Sequence, residues 1–287
     1  MLGDANSQPS RYVIDFQSKE MAEAAEYKAL FAEIKKHVLP DRVKKAEGEQ
    51  ERNEEATDVS KDADVNRHHA NVLAHWWRLS YHREDLIQEI SRLPRYIVCG
   101  RVTKRPIFEF IHPAIHPNDA LTVFTLPDDY SFGILQSSLH WQWFNERCST
   151  LKSDSRYTSN TVFDSFPWPQ EPSRKQIAEV CEAAVALRLA RRRIMRRHGL
   201  DLRNLYRLVE LPGENPIKDV QDQLEEAVHA AYGLDPETAN PLPFLLALNL
   251  KLSGRESRGE PIQGPGLPRG VKDPQGYISS DSVRLWP

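Results

Sequence analysis

Apolar residues recur every three to four positions at Phe132, Leu135, Leu139 and Trp143, which predicts one helix from about Tyr130 to Arg147 with a buried face. The same period places Met21, Ala25, Leu30, Phe31, Ile34 and Val38 on a helix capped by Ser18 and stopped at Pro40. It also predicts a helix over residues 76–93 ended by Pro94. A further helix carries Ile177, Val180, Cys181, Ala184 and Leu187, and another carries Ile217, Val220, Leu224, Val228 and Ala231. Ser173 with Gln176 reads as a capping box, Gly199 as a C-terminal stop, Asn215-Pro216 as a start and Gly233 as the next stop. Short β-rich runs stand at 11–16, 96–98, 107–111 and 121–126. The second and third are joined by the Gly- and Pro-containing CGRVTKRP, hence a hairpin or two neighbouring strands.

Three stretches carry no apolar period. Residues 41–67 are of mixed charge without an aromatic residue, so a solvated helix or a mobile connector is expected there. Residues 149–161 are rich in hydroxyls and hydrogen-bond donors and read as a polar loop, before Phe166-Pro167-Trp168-Pro169 fixes a turn. From Ser253 onward Gly and Pro dominate, and a mobile tail is expected. The elements together give an α+β class. Residues 1–94 hold a connecting strand and helices with the charged insert 41–67, residues 95–169 a mixed α/β domain, residues 170–252 a helical module, and residues 253–287 the tail.

Composition narrows this little. A chain of 287 residues holds one large domain or two smaller ones, and 40% hydrophobic with 28% charged residues describes a soluble globular protein. No apolar run approaches the roughly 20 residues of a membrane helix. Met1 is followed by polar residues rather than a signal peptide, and three cysteines without CxxC spacing point to neither disulfides nor a thiolate zinc site. A reducing cytoplasm fits. With a net charge of -3, any nucleic-acid binding must come from a local basic surface.

Such surfaces exist. Arg95, Arg101, Lys104 and Arg105 stand without an intervening acid, as a phosphate-neutralising rim or an ordinary solvated turn. Lys152, Ser153, Ser155, Arg156, Tyr157, Thr158, Ser159 and Asn160 offer donors to phosphates and base edges. Arg188, Arg191, Arg192, Arg193, Arg196 and Arg197 form either a solvated or partner-facing helix face or a DNA backbone contact. His68, His69 and His75 beside Trp76 and Trp77 lack a carboxylate or Cys at ligand spacing, and Pro113 and Pro117 break the HPAIH run, so no metal site is expected.

The ordered motifs FGIL-x-S-x-LHW-x-W, LKSD-x-RY-x-x-x-x-V-x-x-x-FPWP, and then LYRLVELP and HAAYG, resemble the C-terminal region of MmeI-like (type IIG/IIL-related) restriction-modification DNA adenine methyltransferases. The resemblance spans residues 11–250 patchily and is best over 129–169; the insert 41–67 and the Arg-rich 188–197 depart from it. It implies that residues 95–169 are a target-recognition domain for double-stranded DNA, with contacts from Arg101, Lys104, Arg105, Lys152, Ser153, Ser155, Arg156, Tyr157 and Asn160. The chain is then expected to be the distal part of a longer enzyme of restriction-modification or phage defence. Its methyltransferase domain, upstream or on a separate chain, would bind S-adenosylmethionine and flip the target adenine. This chain has neither a Gly-rich cofactor turn outside the tail nor any Pro-Pro, so no catalytic residue and no cofactor of its own are expected. Two alternatives stay open: a protein-interaction module of a defence complex, and an enzyme with an unrecognised site.

Overall fold

The computed structural model describes residues 7–81, 83–151, 154–209, 211–212, 215–235 and 240–285. It divides into two compact units, residues 11–88 and residues 1–10 with 89–287.

The unit of residues 11–88 is helical: α1 (Met21–Glu26), α2 (Lys28–His37), α3 (Leu39–Val59), α4 (His68–Ala74) and the start of α5 (Glu84–Ser91). The strand expected at 11–16 does not form. No strand stands among the described residues of this unit, Tyr12 and Val13 are exposed, and Phe16 instead joins Ala24, Ile34 and Trp77 in a small core. The first helix is capped at Glu20 rather than Ser18, because Glu23 reaches back to accept the Glu20 N–H at 2.9 Å. The periodic run is interrupted at Tyr27, and Pro40 sits in the first turn of α3, where a missing N–H is tolerated. The charged stretch is a solvated helix over most of its length, with exposed pairs such as Asp41–Lys45 at 2.7 Å. Glu49 is its exception: buried, it accepts the His69 and Ala70 N–H groups at 2.9 and 3.0 Å and caps α4. The helix expected over 76–93 is broken; turns occupy 75–80, where the Trp77 Nε1–H donates to the Lys19 carbonyl at 2.9 Å.

The second unit is built on β1 (Tyr96–Gly100), buried throughout, which pairs antiparallel with β2 (Glu109–Ile111) and β3 (Leu121–Phe124) in the order β2-β1-β3. The register sets Tyr96 opposite Ile111 and Ile97 opposite Phe124. The single helix expected over 130–147 is two, α6 (Asp129–Gln136) and α7 (Ser138–Arg147). Ser137 adopts an extended backbone and its Oγ accepts the His140 N–H, so it caps the second while ending the first. The expected face of Phe132, Leu135, Leu139 and Trp143 is fully buried all the same. Gly133 lets α6 press on the long α8 (Arg174–His198): a Cβ there would lie 2.6 Å from Val180 Cγ1.

Both ends of α8 follow the sequence signals. Ser173 and Gln176 form a reciprocal capping box, and Gly199 at φ 61° closes the helix in the left-handed region. α9 (Leu202–Val209), α10 (Pro216–Tyr232) and α11 (Leu242–Ser257) complete the helical layer, with Gly233 at φ 67° after α10. Phe166 and Trp168 are buried, and the Tyr232 hydroxyl donates to the Pro167 carbonyl at 2.8 Å, so FPWP is a packed corner.

Two further expectations fail in this unit. The tail is not free: α11 runs to Ser257, Ser279 and Asp281 bind Asp129, Arg95 and Arg188, and Val283 docks on the edge of β2. The Val283 N–H donates to the Phe110 carbonyl at 2.8 Å and its carbonyl accepts from His112 at 3.0 Å. Nor is the Arg-rich stretch all surface. Arg188 and Arg191 are 1% exposed. Arg188 and Arg95 share Asp129 and Asp281: Arg95 Nη2 lies 2.8 Å from Asp129, its Nη1 3.0 Å from Asp281, and Arg188 Nε 2.8 Å from Asp281. Burial alone would push the Asp281 carboxyl upward, but hydrogen bonds and charge from Arg188 hold it well below the usual range. No helix among the described residues is long and apolar enough to cross a membrane.

Candidate nucleic-acid interface

The stretch expected as a polar loop contains a hairpin, β4 (Ser149–Leu151) with β5 (Asp154–Arg156), in the register Ser149↔Arg156. It has no apolar alternation of its own, so its order comes from main-chain bonds to the β1–β2 connection. The Thr103 N–H donates to the Ser155 carbonyl at 3.0 Å, the Tyr157 N–H to the Arg101 carbonyl at 2.8 Å, and Val102 stands opposite Arg156. The Arg101 N–H in turn donates to the Ala120 carbonyl at 2.8 Å. Two segments about fifty residues apart in sequence thus form one continuous ladder.

The ladder brings Arg101, Lys104, Arg105, Ser155 and Arg156 to one edge. Lys104 is exposed, and Arg101, Arg105, Ser155 and Arg156 are half-buried. Arg105 is held most firmly: its guanidinium carbon lies 4.3 Å from the Trp141 ring centroid and 4.9 Å from that of Tyr206. Thr103 Oγ1 accepts the Arg105 N–H at 3.2 Å and closes the turn beneath it. Arg101 donates through Nη1 to the Asp119 carbonyl at 3.3 Å. Among the described residues no carboxylate pairs with Arg101, Lys104 or Arg156. Asn160 is exposed in the π-helical turn Ser159–Phe163 that follows. Lys152 and Ser153 lie outside the described residues.

Tyr157 is placed differently from the others. Its ring lies 5.8 Å from Phe144 at 14° and 5.5 Å from Phe124 at 90°, and its hydroxyl is 3.0 Å from His140 Nε2. Burial raises the Tyr157 hydroxyl well above its ordinary value and pushes His140 down to about 3, so both groups are neutral at physiological pH. The residue anchors the exit of β5 in the core and is not available at the surface. Sequence reading also passed over Val102, 54% exposed between Arg101 and Thr103 and a candidate for apolar contact with a thymine methyl. An apolar residue inside an otherwise polar turn was the signal for it. Exposed Arg147, at the end of α7 directly before β4, was likewise missed.

A small antiparallel sheet, a hairpin laddered to its crossing loop and a basic edge backed by helices define an α+β domain with a preformed polar rim. Residues 97–170 match the family described as MmeI, target recognition domain, and this segment is an MmeI-like target-recognition domain. DNA methyltransferase A of Bacillus subtilis (strain 168) is 30% identical over 103 residues, which cover 36% of this chain and 11% of that protein. The solved structure of the Type IIL restriction-modification enzyme MmeI in complex with DNA shares the fold, with a TM-score of 0.55 at 20% identity over 71% of this chain and 26% of that one. The chain therefore spans a small part of the length of either relative.

Proposed function

We propose that the chain selects a specific sequence in double-stranded DNA as the target-recognition portion of an adenine-N6 methyltransferase of restriction-modification or related phage defence. The observation that carries this reading is the ladder joining Thr103 to Ser155 and Arg101 to Tyr157 within the segment that matches the target-recognition family. Arg101, Lys104 and Arg156 neutralise phosphates and set the register on the duplex, while Arg105, fixed between two aromatic rings, presents a guanidinium with little rotamer freedom left to lose. Ser155 and Asn160 add donors to the reading edge, and Lys152 and Ser153, outside the described residues, are further contacts expected from the sequence. A methyltransferase domain, in the same polypeptide or on another chain, holds S-adenosylmethionine, flips the adenine and transfers the methyl group in the cytoplasm. This chain contributes selection and no cofactor.

The experiment that tests it is selection of bound duplexes from a random-sequence pool at about physiological salt, followed by sequencing. Enrichment of one short motif containing an adenine is the expected result. Recovery of duplexes without enrichment would reduce the role to backbone binding, and no recovery would bring forward the protein-interaction module.

A further inference from the structure

We propose that a cavity between α8 and the docked C-terminal segment is a binding site for a phosphate group. The cavity measures about 210 Å³ and is lined by Arg192 and Arg196 of α8, Arg284 of the tail, Glu109 of β2 and Gln8. Arg192 and Arg196 are four residues apart and lie on one helix face, and Arg284 comes from the segment that Val283 fixes to β2. Three arginines thus line one space, and a guanidinium is a fork of donors matched to phosphate oxygens.

Their existing partners leave donors over. Arg192 Nη2 is buried and lies 3.3 Å from Asp281 and 3.6 Å from Glu109, yet it hydrogen-bonds to neither. That nitrogen is closed to solvent and ion-paired with both, so an anion in the cavity would be held by the exposed Arg196 and Arg284. Arg284 donates to the Ser280 carbonyl at 3.2 Å, and no carboxylate pairs with Arg196 or Arg284 among the described residues. Three features oppose an anion. Glu109 carries a negative charge, although its Oε1 accepts the Phe110 N–H at 3.1 Å and faces Arg192. Asp281 lies 3.3 Å from Arg192, although Arg95 and Arg188 share its charge. The C-terminal end of α8 adds roughly half a charge more. Three arginines outweigh these together. The phosphate belongs either to a DNA backbone or to a free phosphate-bearing molecule, since the chemistry of the cavity is the same for each.

The test is a phosphorus-NMR titration of the full chain with inorganic phosphate, on the native protein and on an Arg196→Gln, Arg284→Gln double variant. Both side chains are exposed, so an unchanged unfolding midpoint is expected and checks that the variant folds. A saturable response in the native chain that weakens at least tenfold in the variant is the expected result. Duplex binding then separates the sources. A DNA phosphate predicts a salt slope lower by about 0.9 for each phosphate the variant no longer neutralises. A free ligand predicts an unchanged slope beside a vanished phosphate response. No saturable response in the native chain, or the same response in both proteins, overturns the site. Because the phosphate arm uses no DNA, failure of the DNA-recognition reading leaves it standing.

Discussion

Arginines of one sequence type do opposite work at two places in the second unit. Around Asp129, Arg95 and Arg188 are enclosed, each oriented by two carboxylates and stacked on Phe110, with guanidinium carbons 3.6 and 4.9 Å from its ring centroid. At the rim, Arg101 and Arg156 keep a main-chain ladder beneath them, and among the described residues no carboxylate pairs with either. The first pair has its charge compensated inside the fold and cannot offer it to a ligand. The second leaves its charge free to act on one. What separates them is the presence of Asp129 and Asp281, which makes position, not residue type, the guide to function.

This contrast can be broken most severely at its buried end. Replacing Asp129 by Ala leaves two buried guanidiniums short of a carboxylate, and a decrease of about 3–5 kcal/mol in stability is expected, read from urea unfolding. A decrease below about 1 kcal/mol would mean that the cluster is solvated. Gly133→Ala tests the packing beside it; the new methyl meets Val180 at 2.6 Å, so stability should fall by about 1–3 kcal/mol, and an unchanged midpoint would contradict the close approach of α6 to α8.

Acid should act next. An unfolded histidine takes up its proton near pH 6.5, whereas His140 in the fold does so only near 3. The unfolded state therefore binds more protons between these values, and stability falls as pH drops through that window, by at most about 1.4 kcal/mol per pH unit from this residue. His140→Phe should flatten the slope by that amount; equal slopes in both proteins would place the ring in water. The smallest change in stability is expected at the rim. Arg101→Gln with Arg156→Gln should shift stability by less than about 0.5 kcal/mol while lowering the DNA salt slope by about 0.9 for each phosphate left unneutralised. Full retention of the slope would remove these two residues from the interface.

Much of the helical layer was legible because its signals are local. Ser173 and Gln176 are three residues apart, Gly199 and Gly233 need only their own backbone angles, and the buried face of α6 and α7 survives the break at Ser137 because both helices keep it inward. The strands β1, β2 and β3 announced themselves by β-rich runs for the same reason. What stayed hidden depends on distant partners. Arg188 meets Asp281 across 93 residues, so although the apolar period of α8 runs on through Arg188 and Arg191, the partner that lets a charge be buried there was not visible. The hairpin of β4 and β5 rests on the 101–103 segment rather than on its own pattern, and Tyr157 is buried because Phe124 and His140 surround it. Conversely, the run at 11–16 has the composition of a strand but no neighbour to pair with among the described residues of its unit.

The docking of Asp281 also sets an order of events during synthesis. It lies 186 residues after Arg95, a distance that a ribosome covers in roughly 10–40 s. For the last part of that interval Asp129 and both guanidiniums exist, but half of their carboxylate complement does not. The sheet can collapse early, yet its ionic centre closes only once Asp281 has been made, so a later segment fastens an earlier one.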